Sequence, residues 1–263
     1  MTKYLINIVL IIILSSLQLS ASPYKLSTAT DSLLIGSGTA LLASSFYLQS
    51  KVTPLTDDDI ASLSNNNINK FDRSAADNWS SNGNTWSYIT LASTMISPIG
   101  FMFNDKTRDD FIILGVMYGE SLLITNGLNM TVKSVAQRKR PFVYNDDAPY
   151  NDKKKKDAVL SFYSGHTANA FNSAVFVSTV FSDYYPQNQW RYVVWGTSLL
   201  AASTTGYLRY YSGKHYPTDI IAGAIIGSIT GWGIPALHRN KSENISIKMA
   251  VGEESMIAVE FYF

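Results

Sequence analysis

Six stretches of this chain lack charge almost entirely: about 33–49, 86–103, 111–130, 167–182, 192–208 and 220–237, interrupted only by Glu120. They are apolar all round rather than along one stripe, so lipid or protein must surround each of them. At ~1.5 Å rise per residue, roughly 16 to 20 residues cover most of the ~30 Å hydrocarbon layer of a bilayer. Gly, Ala, Ser and Thr recur within them and let helices approach closely. The pattern predicts an all-α bundle of about six apolar helices. A mean hydropathy of +0.02 is low for six spans, so a membrane bundle and a soluble helical domain both stay open.

The ends of the chain carry different patterns. Lys3 precedes an apolar run over 4–14 and then small residues up to Ser20-Ala21-Ser22, the three zones of a secretory signal. Residues 1–21 are therefore expected to be a signal peptide or an uncleaved N-terminal anchor, with the helical domain over 22–240. In the tail, 241–263, Ile245, Ile247, Met249 and Val251 alternate with Ser246, Lys248 and Ala250. A second alternation follows in Ile257, Val259, Phe261 and Phe263, and together they predict a short C-terminal β-hairpin. Two strands cannot close an outer-membrane barrel. Between the first two stretches, the polar loop 51–84 shows one legible element. A short helix over 57–63 is predicted, with Thr56 as its N-cap and Asp57, Asp58 and Asp59 in the first turn.

Composition narrows the chemistry. A chain of 263 residues with 46% hydrophobic content builds one substantial domain or two small ones. The absence of cysteine excludes thiol catalysis, thiolate metal sites and disulfides. A net charge of +1 argues against nucleic acid as a partner. The cations are nevertheless unevenly placed: Lys133, Arg138, Lys139, Arg140 and the run Lys153 to Lys156 make 8 of the 21 Lys and Arg. That lysine run reads as a solvated turn or as a contact for anionic lipid headgroups.

Three motifs carry candidate chemistry. In the first, Arg209, His215 and Asp219 fall within eleven residues, and Pro217 suits the first turn of a helix. A helix starting near Tyr216 puts His215 at its positive end and Asp219 on the same face, where a carboxylate can fix the imidazole tautomer. The free ring nitrogen then becomes a nucleophile aimed at a phosphate. In the second, Lys133 and Arg140-Pro141 follow the third stretch, and a guanidinium fork can hold two phosphate oxygens. In the third, Ser164-Gly165-His166 opens the fourth stretch. It offers a hydroxyl, a close backbone approach to an oxyanion, and a proton donor. His166, Asn169, Ala170 and Ser173 share one helix face, which is predicted to point inward. If the stretches run up and down, all three motifs reach one end of the bundle. Of the three histidines only His238, just past the last stretch, looks incidental.

With these residues in place, the sequence resembles the type 2 phosphatidic acid phosphatase superfamily, whose signature is K-x6-RP, then PSGH, then SR-x5-H-x3-D. The resemblance covers about 111–237 and keeps every spacing inside the motifs. It implies that His215 is the nucleophile forming a phosphohistidine, that Asp219 orients it and that His166 is the general acid. It further implies that Lys133, Arg140, Ser164, Gly165 and Arg209 hold the phosphoryl oxygens, with no metal or other cofactor required. Two positions depart from the signature: Tyr163 replaces Pro, and Leu208 replaces Ser. Tyr163 is a candidate for lining a substrate entrance.

The expected activity is phosphate release from a lipid phosphate or similar monoester or diphosphate, with a membrane as the setting. Two alternatives are a vanadate-dependent haloperoxidase, from a sister family, and a non-catalytic anion-binding envelope protein. The signal segment points to export and to a site facing the periplasm. Counting six crossings after a cleaved signal instead places the motifs in the cytoplasm, in agreement with the basic loop there.

Overall fold

Every one of the six stretches nucleates a long helix: α1 (Thr28–Ser50), α2 (Ser81–Ile96), α3 (Phe111–Ala136), α4 (Gly165–Tyr184), α5 (Trp190–Tyr211) and α6 (Pro217–His238). The computed structural model describes residues 22–240 and the backbone of 244–250 and 256–262. The expected signal segment, 1–21, lies outside the described residues. Local chemistry sets the helix ends. The hydroxyls of Ser27, Ser80 and Ser164 accept from the backbone of Thr30, Gly83 and Thr167 and so cap α1, α2 and α4. Pro217 occupies the first turn of α6. Gln137 closes α3 in the left-handed region at φ 41°. The second stretch is not one helix: α2 stops at Ile96 and the chain tightens into a 3-10 turn over Ser97–Phe103. Pro98 is the physical reason, since its ring clashes with the preceding turn of a continuing α-helix. In the polar loop the short helix forms as Asp57–Ala61, two residues shorter than predicted, under a reciprocal cap between Thr56 and Asp59.

The helices alternate in direction. Tyr118 of α3 bonds Ser173 of α4, Asn126 bonds Asn169, and Asn129 bonds the carbonyl of Tyr163, so these two helices run antiparallel. The predicted inward face of α4 is thereby satisfied: Ala170 and Ser173 are fully buried. Helix α6 runs alongside α4 at close range. Its Gly223, Gly227 and Gly231 meet the backbone of Ser164, Ala168 and Asn172 in turn, and a Cβ on Gly227 would stand 2.1 Å from the Ala168 carbonyl. The core between α3, α4 and α6 is partly polar. Asn172 Nδ2 lies 2.5, 3.1 and 2.9 Å from the hydroxyls of Ser121, Thr125 and Thr230. Such interhelical hydrogen bonds, with small residues at the contacts, hold helices together where lipid supplies no hydrophobic drive.

Outward faces are apolar: Leu33, Ile112, Leu200, Ile229 and Leu237 are each at least 60% exposed. Exposed aromatic residues lie toward both ends of the bundle. Tyr47, Trp86 and Tyr207 lie exposed toward one end, and Trp190 and Tyr192 toward the other. Among the described residues, two segments are long and apolar enough to cross a membrane, Phe111–Tyr144 and Pro217–His238.

Contacts divide the chain into a helical unit, 26–239, and a second unit made of 1–25 and 240–263. The helical unit is all-α among its described residues. In the second unit, strands β1 (Asn244–Ala250) and β2 (Met256–Tyr262) pair antiparallel, with Ile245 opposite Phe261 and Ile247 opposite Val259.

Because the Gly227 contact is with backbone, no side-chain rotation relieves an added methyl. Gly227→Ala is expected to cost about 1–3 kcal/mol, read as a lower melting temperature in detergent. Gly233→Ala faces open space and is expected to melt at or slightly above the parent. Equal melting of the two variants would remove the close α4–α6 contact from the account.

Candidate active site

The three motifs meet at the end of the bundle where α3 and α5 finish and α4 and α6 begin. Their convergence follows from helix direction, as the alternation of the stretches predicts. His215 is 1% exposed, and its Nε2 lies 3.0 Å from Arg140 NH1. A guanidinium only donates, so Nε2 accepts and carries the lone pair. The ring proton then sits on Nδ1, which faces Asp219 Oδ2 at 3.5 Å without a formed hydrogen bond. Asp219 is fully buried. Its oxygens accept from Ser161 Oγ at 2.5 Å, from the backbone N–H of Tyr216 at 3.1 Å and from Arg138 at 2.5 Å.

Four cations surround the imidazole. Arg140, 4% exposed, is held by the Asp157 carbonyl and carboxylate and by the Lys214 carbonyl. Arg209, 3% exposed, donates to Asn84 at 2.6 Å and Ser87 at 3.1 Å, while its Nε has no partner. Lys133, in the last turn of α3, acts on both Arg140 and Arg209 through space. Lys214 lies over the rings of Phe142 and Trp79, at 4.3 and 4.8 Å. Burial, followed by Arg140, Lys133 and Arg209, pushes His215 well below its ordinary range, so it is neutral. Burial, then Arg209, Lys133 and Arg140, lowers His166 to about 2. His166 Nε2 is buried with no hydrogen-bond partner, and its ring meets Tyr88 edge-on at 4.5 Å. A second neutral imidazole thus sits unengaged among the same cations.

Ser164 and Gly165 lie at the same place with added duties. Ser164 Oγ caps α4 and bonds the Thr167 hydroxyl at 2.8 Å. Gly165 leaves room for a neighbouring side chain: a Cβ there would meet Asn129 Oδ1 at 2.6 Å. Tyr163 does not line an entrance. It is fully buried, anchored through its carbonyl to Asn129, because the turn before α4 faces the α3 wall. The lysine run is only partly a solvated turn. Lys153 is 7% exposed, whereas Lys154 and Lys155 pair with Asp57 and Asp152.

The sequence reading missed several partners. Asp72, from the polar loop, is fully buried and joins Arg138 at 2.7 Å to Thr218 at the start of α6. Arg138 therefore bridges Asp72 and Asp219, with its guanidinium 4.0 Å from the Tyr216 ring centre. Asn84, Ser87 and Tyr88 form the wall beside Arg209 and His166. Only the Lys-Arg-rich composition of 138–140 hinted at any of this.

A family model for the PAP2 superfamily matches residues 114–243, which contain all three motifs. The chain belongs to the PAP2 superfamily. Among curated proteins, it is 36% identical over 86 residues to the lipid A 4′-phosphatase of Bacteroides thetaiotaomicron, covering 33% of this chain and 35% of that protein. It is 27% identical over 149 residues to the lipid A 4′-phosphatase of Porphyromonas gingivalis, covering 56% and 58%. The chain thus spans about a third to three fifths of these relatives. Among solved structures, it is similar to a transmembrane PAP2-type phosphatidylglycerolphosphate phosphatase from Bacillus subtilis, with TM-score 0.47, 19% identity, and 76% and 94% coverage. It is also similar to Aquifex aeolicus LpxE, with TM-score 0.42, 23% identity, and 59% and 84% coverage.

Removing Arg138 leaves two fully buried carboxylates without their shared cation. Arg138→Leu is expected to destabilise the helical unit by about 3–5 kcal/mol in chemical denaturation. Arg138→Lys, which keeps the charge but not the fork, is expected to recover part of that loss. A stability unchanged by Arg138→Leu would contradict the bridging role.

Proposed function

We propose that this chain is a membrane-associated, PAP2-type phosphatase that releases phosphate from a lipid phosphate through a phosphohistidine at His215. The observation that carries the reading is the neutral His215, its Nε2 lone pair beside Arg140 and its Nδ1 backed by Asp219. Lys133, Arg140 and Arg209 take the nonbridging phosphoryl oxygens, and Ser164 and the backbone at Gly165 complete the cradle. Arg140 shifts from Nε2 to phosphate as the anion enters. His215 Nε2 then attacks phosphorus, the bond from phosphorus to the lipid oxygen breaks, and Asp219 steadies the positive ring.

His166 supplies the proton that the leaving oxygen needs. In the empty site, burial and three cations keep it neutral. A phosphate dianion among those cations reverses the local field and returns a proton to Nε2. After the lipid alcohol leaves, water attacks the phosphohistidine while His166 takes its proton. Inorganic phosphate is released, His166 gives the proton taken from water back to solvent as the anion leaves, and both histidines return to their starting state.

The names of the curated relatives and the apolar outer faces both favour a lipid phosphate as substrate. The aromatic rings at the two ends of the bundle and the segments long enough to cross a bilayer favour a membrane as the setting. The amino-terminal signal pattern favours export to the cell envelope.

His215→Ala is expected to lower phosphate release from a lipid phosphate by at least about 10³-fold while the protein still folds. Quenching the parent enzyme with radiolabelled substrate is expected to trap an acid-labile, base-stable phosphoprotein that His215→Ala lacks. Turnover unchanged in that variant would remove His215 from the reaction.

Lys214 makes the anion site sensitive to pH. Burial, then Arg140 and Arg209, lowers its ammonium from the ordinary 10.5 to about 8. As pH rises through about 8 the empty site loses this cation, so anions must bind more weakly on the alkaline side. The inhibition constant of inorganic phosphate is expected to rise between pH 7 and 9.5 more steeply in the parent than in Lys214→Met. Parallel profiles would show that Lys214 does not serve the anion.

A further inference from the structure

At the end of the bundle away from the phosphate cradle, three titratable side chains from three helices face one another. Asp31 lies in the first turn of α1, Glu120 is in α3, and His238 ends α6. Glu120 lies thirteen residues before Lys133, or about 20 Å along the helix axis. His238 lies at the opposite end of α6 from Asp219. The cluster is therefore separate from the proposed catalytic machinery and does not depend on it.

We propose that Asp31, Glu120 and His238 form a binding site for a divalent transition-metal cation of the Zn2+ type, which clips α1, α3 and α6 together. One donor atom from each residue lies within 4.8 Å of the others. His238 Nε2 is 2.9 Å from Asp31 Oδ1 and 3.3 Å from Glu120 Oε2. Two ligands about 2.0–2.1 Å from one tetrahedral Zn2+ stand about 3.3 Å apart, so only small side-chain adjustments are needed.

The imidazole is already oriented as a ligand. Its Nδ1 lies 2.9 Å from the Ile234 carbonyl, which only accepts, so the proton is on Nδ1. Nε2 lies 2.9 Å from Asp31 Oδ1, which only accepts, so in the empty site a proton occupies that line and a bound metal cation would take its place. This backbone tether to the far nitrogen is the outer contact that ligating histidines use to fix their tautomer.

Glu120 supplies the independent reason for a ligand. Its side chain is 1% exposed, and neither carboxylate oxygen has a hydrogen-bond partner. Among the described residues it forms no ion pair with a lysine or arginine. Its cationic neighbour, His238 at 3.3 Å, is already hydrogen-bonded to Asp31, so two carboxylates share one imidazole, and a dication between them offsets both charges. One imidazole nitrogen and two carboxylate oxygens suit Zn2+ or Mn2+. Mg2+ and Ca2+ favour all-oxygen shells.

Tag-free full-length protein in detergent, stripped with a chelator and then titrated with ZnCl2, is expected to bind one equivalent saturably. Its melting temperature should rise by about 5 °C at a hundredfold excess over Kd. Elemental analysis is expected to find that equivalent in the parent and in His215→Ala, and to find it missing in Asp31→Asn/Glu120→Gln and in His238→Asn. Cobalt(II) added to the stripped parent reads the ligands without any substitution, and a low-coordinate visible spectrum with one imidazole is expected. No saturable uptake by the parent would overturn the proposal and leave a proton-sharing triad in its place. Uptake that persists in the double variant, or a purely aqueous cobalt spectrum, would overturn it equally.

Discussion

Asp219 is a carboxylate without exposed surface, and the organisation of the candidate active site depends on keeping it charged and paired. Its three donors come from different parts of the chain: Ser161 before α4, the Tyr216 backbone at the head of α6, and Arg138 beyond α3. Arg138 in turn reaches Asp72 in the polar loop, which bonds back to Thr218. One buried anion thereby ties together the helix ends that carry the three motifs. It also leaves His215 with one tautomer, because Nδ1 faces a carboxylate while Nε2 faces a guanidinium.

Cations dominate the rest of the cavity. Arg140 and Arg209 are buried close to Lys133 and Lys214, and Asp157, Asp219 and Asp152 act on members of this group through space. Repulsion at this density is unfavourable in the empty site and adds to burial, the larger cause, in keeping both histidines neutral. A phosphate entering as the proposed function requires would relieve it, and charge preorganised in this way is how electrostatic stabilisation of phosphoryl transfer avoids reorganisation during the reaction.

The helical scaffold meets this demand through close approach. Glycines on α6 let it lie against the α4 backbone, placing His215 and His166 at adjacent helix starts. Hydroxyl and amide side chains, with Asn172 at their centre, bond across the interior while large apolar residues face outward. That distribution is inside-out relative to a soluble bundle and suits a lipid surrounding. The far end uses the same economy of polar groups, with a single His–carboxylate cluster joining three helices.

The linear order of residues determined the six helices, the cap at Thr56, the helix start at Pro217, and the end of the bundle where the motifs meet. Each of these depends on interactions within a turn or two, or on a run of apolar residues, and short connections fix the alternating direction from α4 to α5 and from α5 to α6. The break at Pro98 was equally local. Tertiary structure alone decided the bridge from Asp72 through Arg138 to Asp219, the wall of Asn84, Ser87 and Tyr88, and the burial of Tyr163. It also turned His238 from an incidental residue into the partner of Asp31 and Glu120. These contacts join side chains far apart in the chain, and their strength comes from being removed from water together. No periodicity or spacing records which distant charges will share that dry interior.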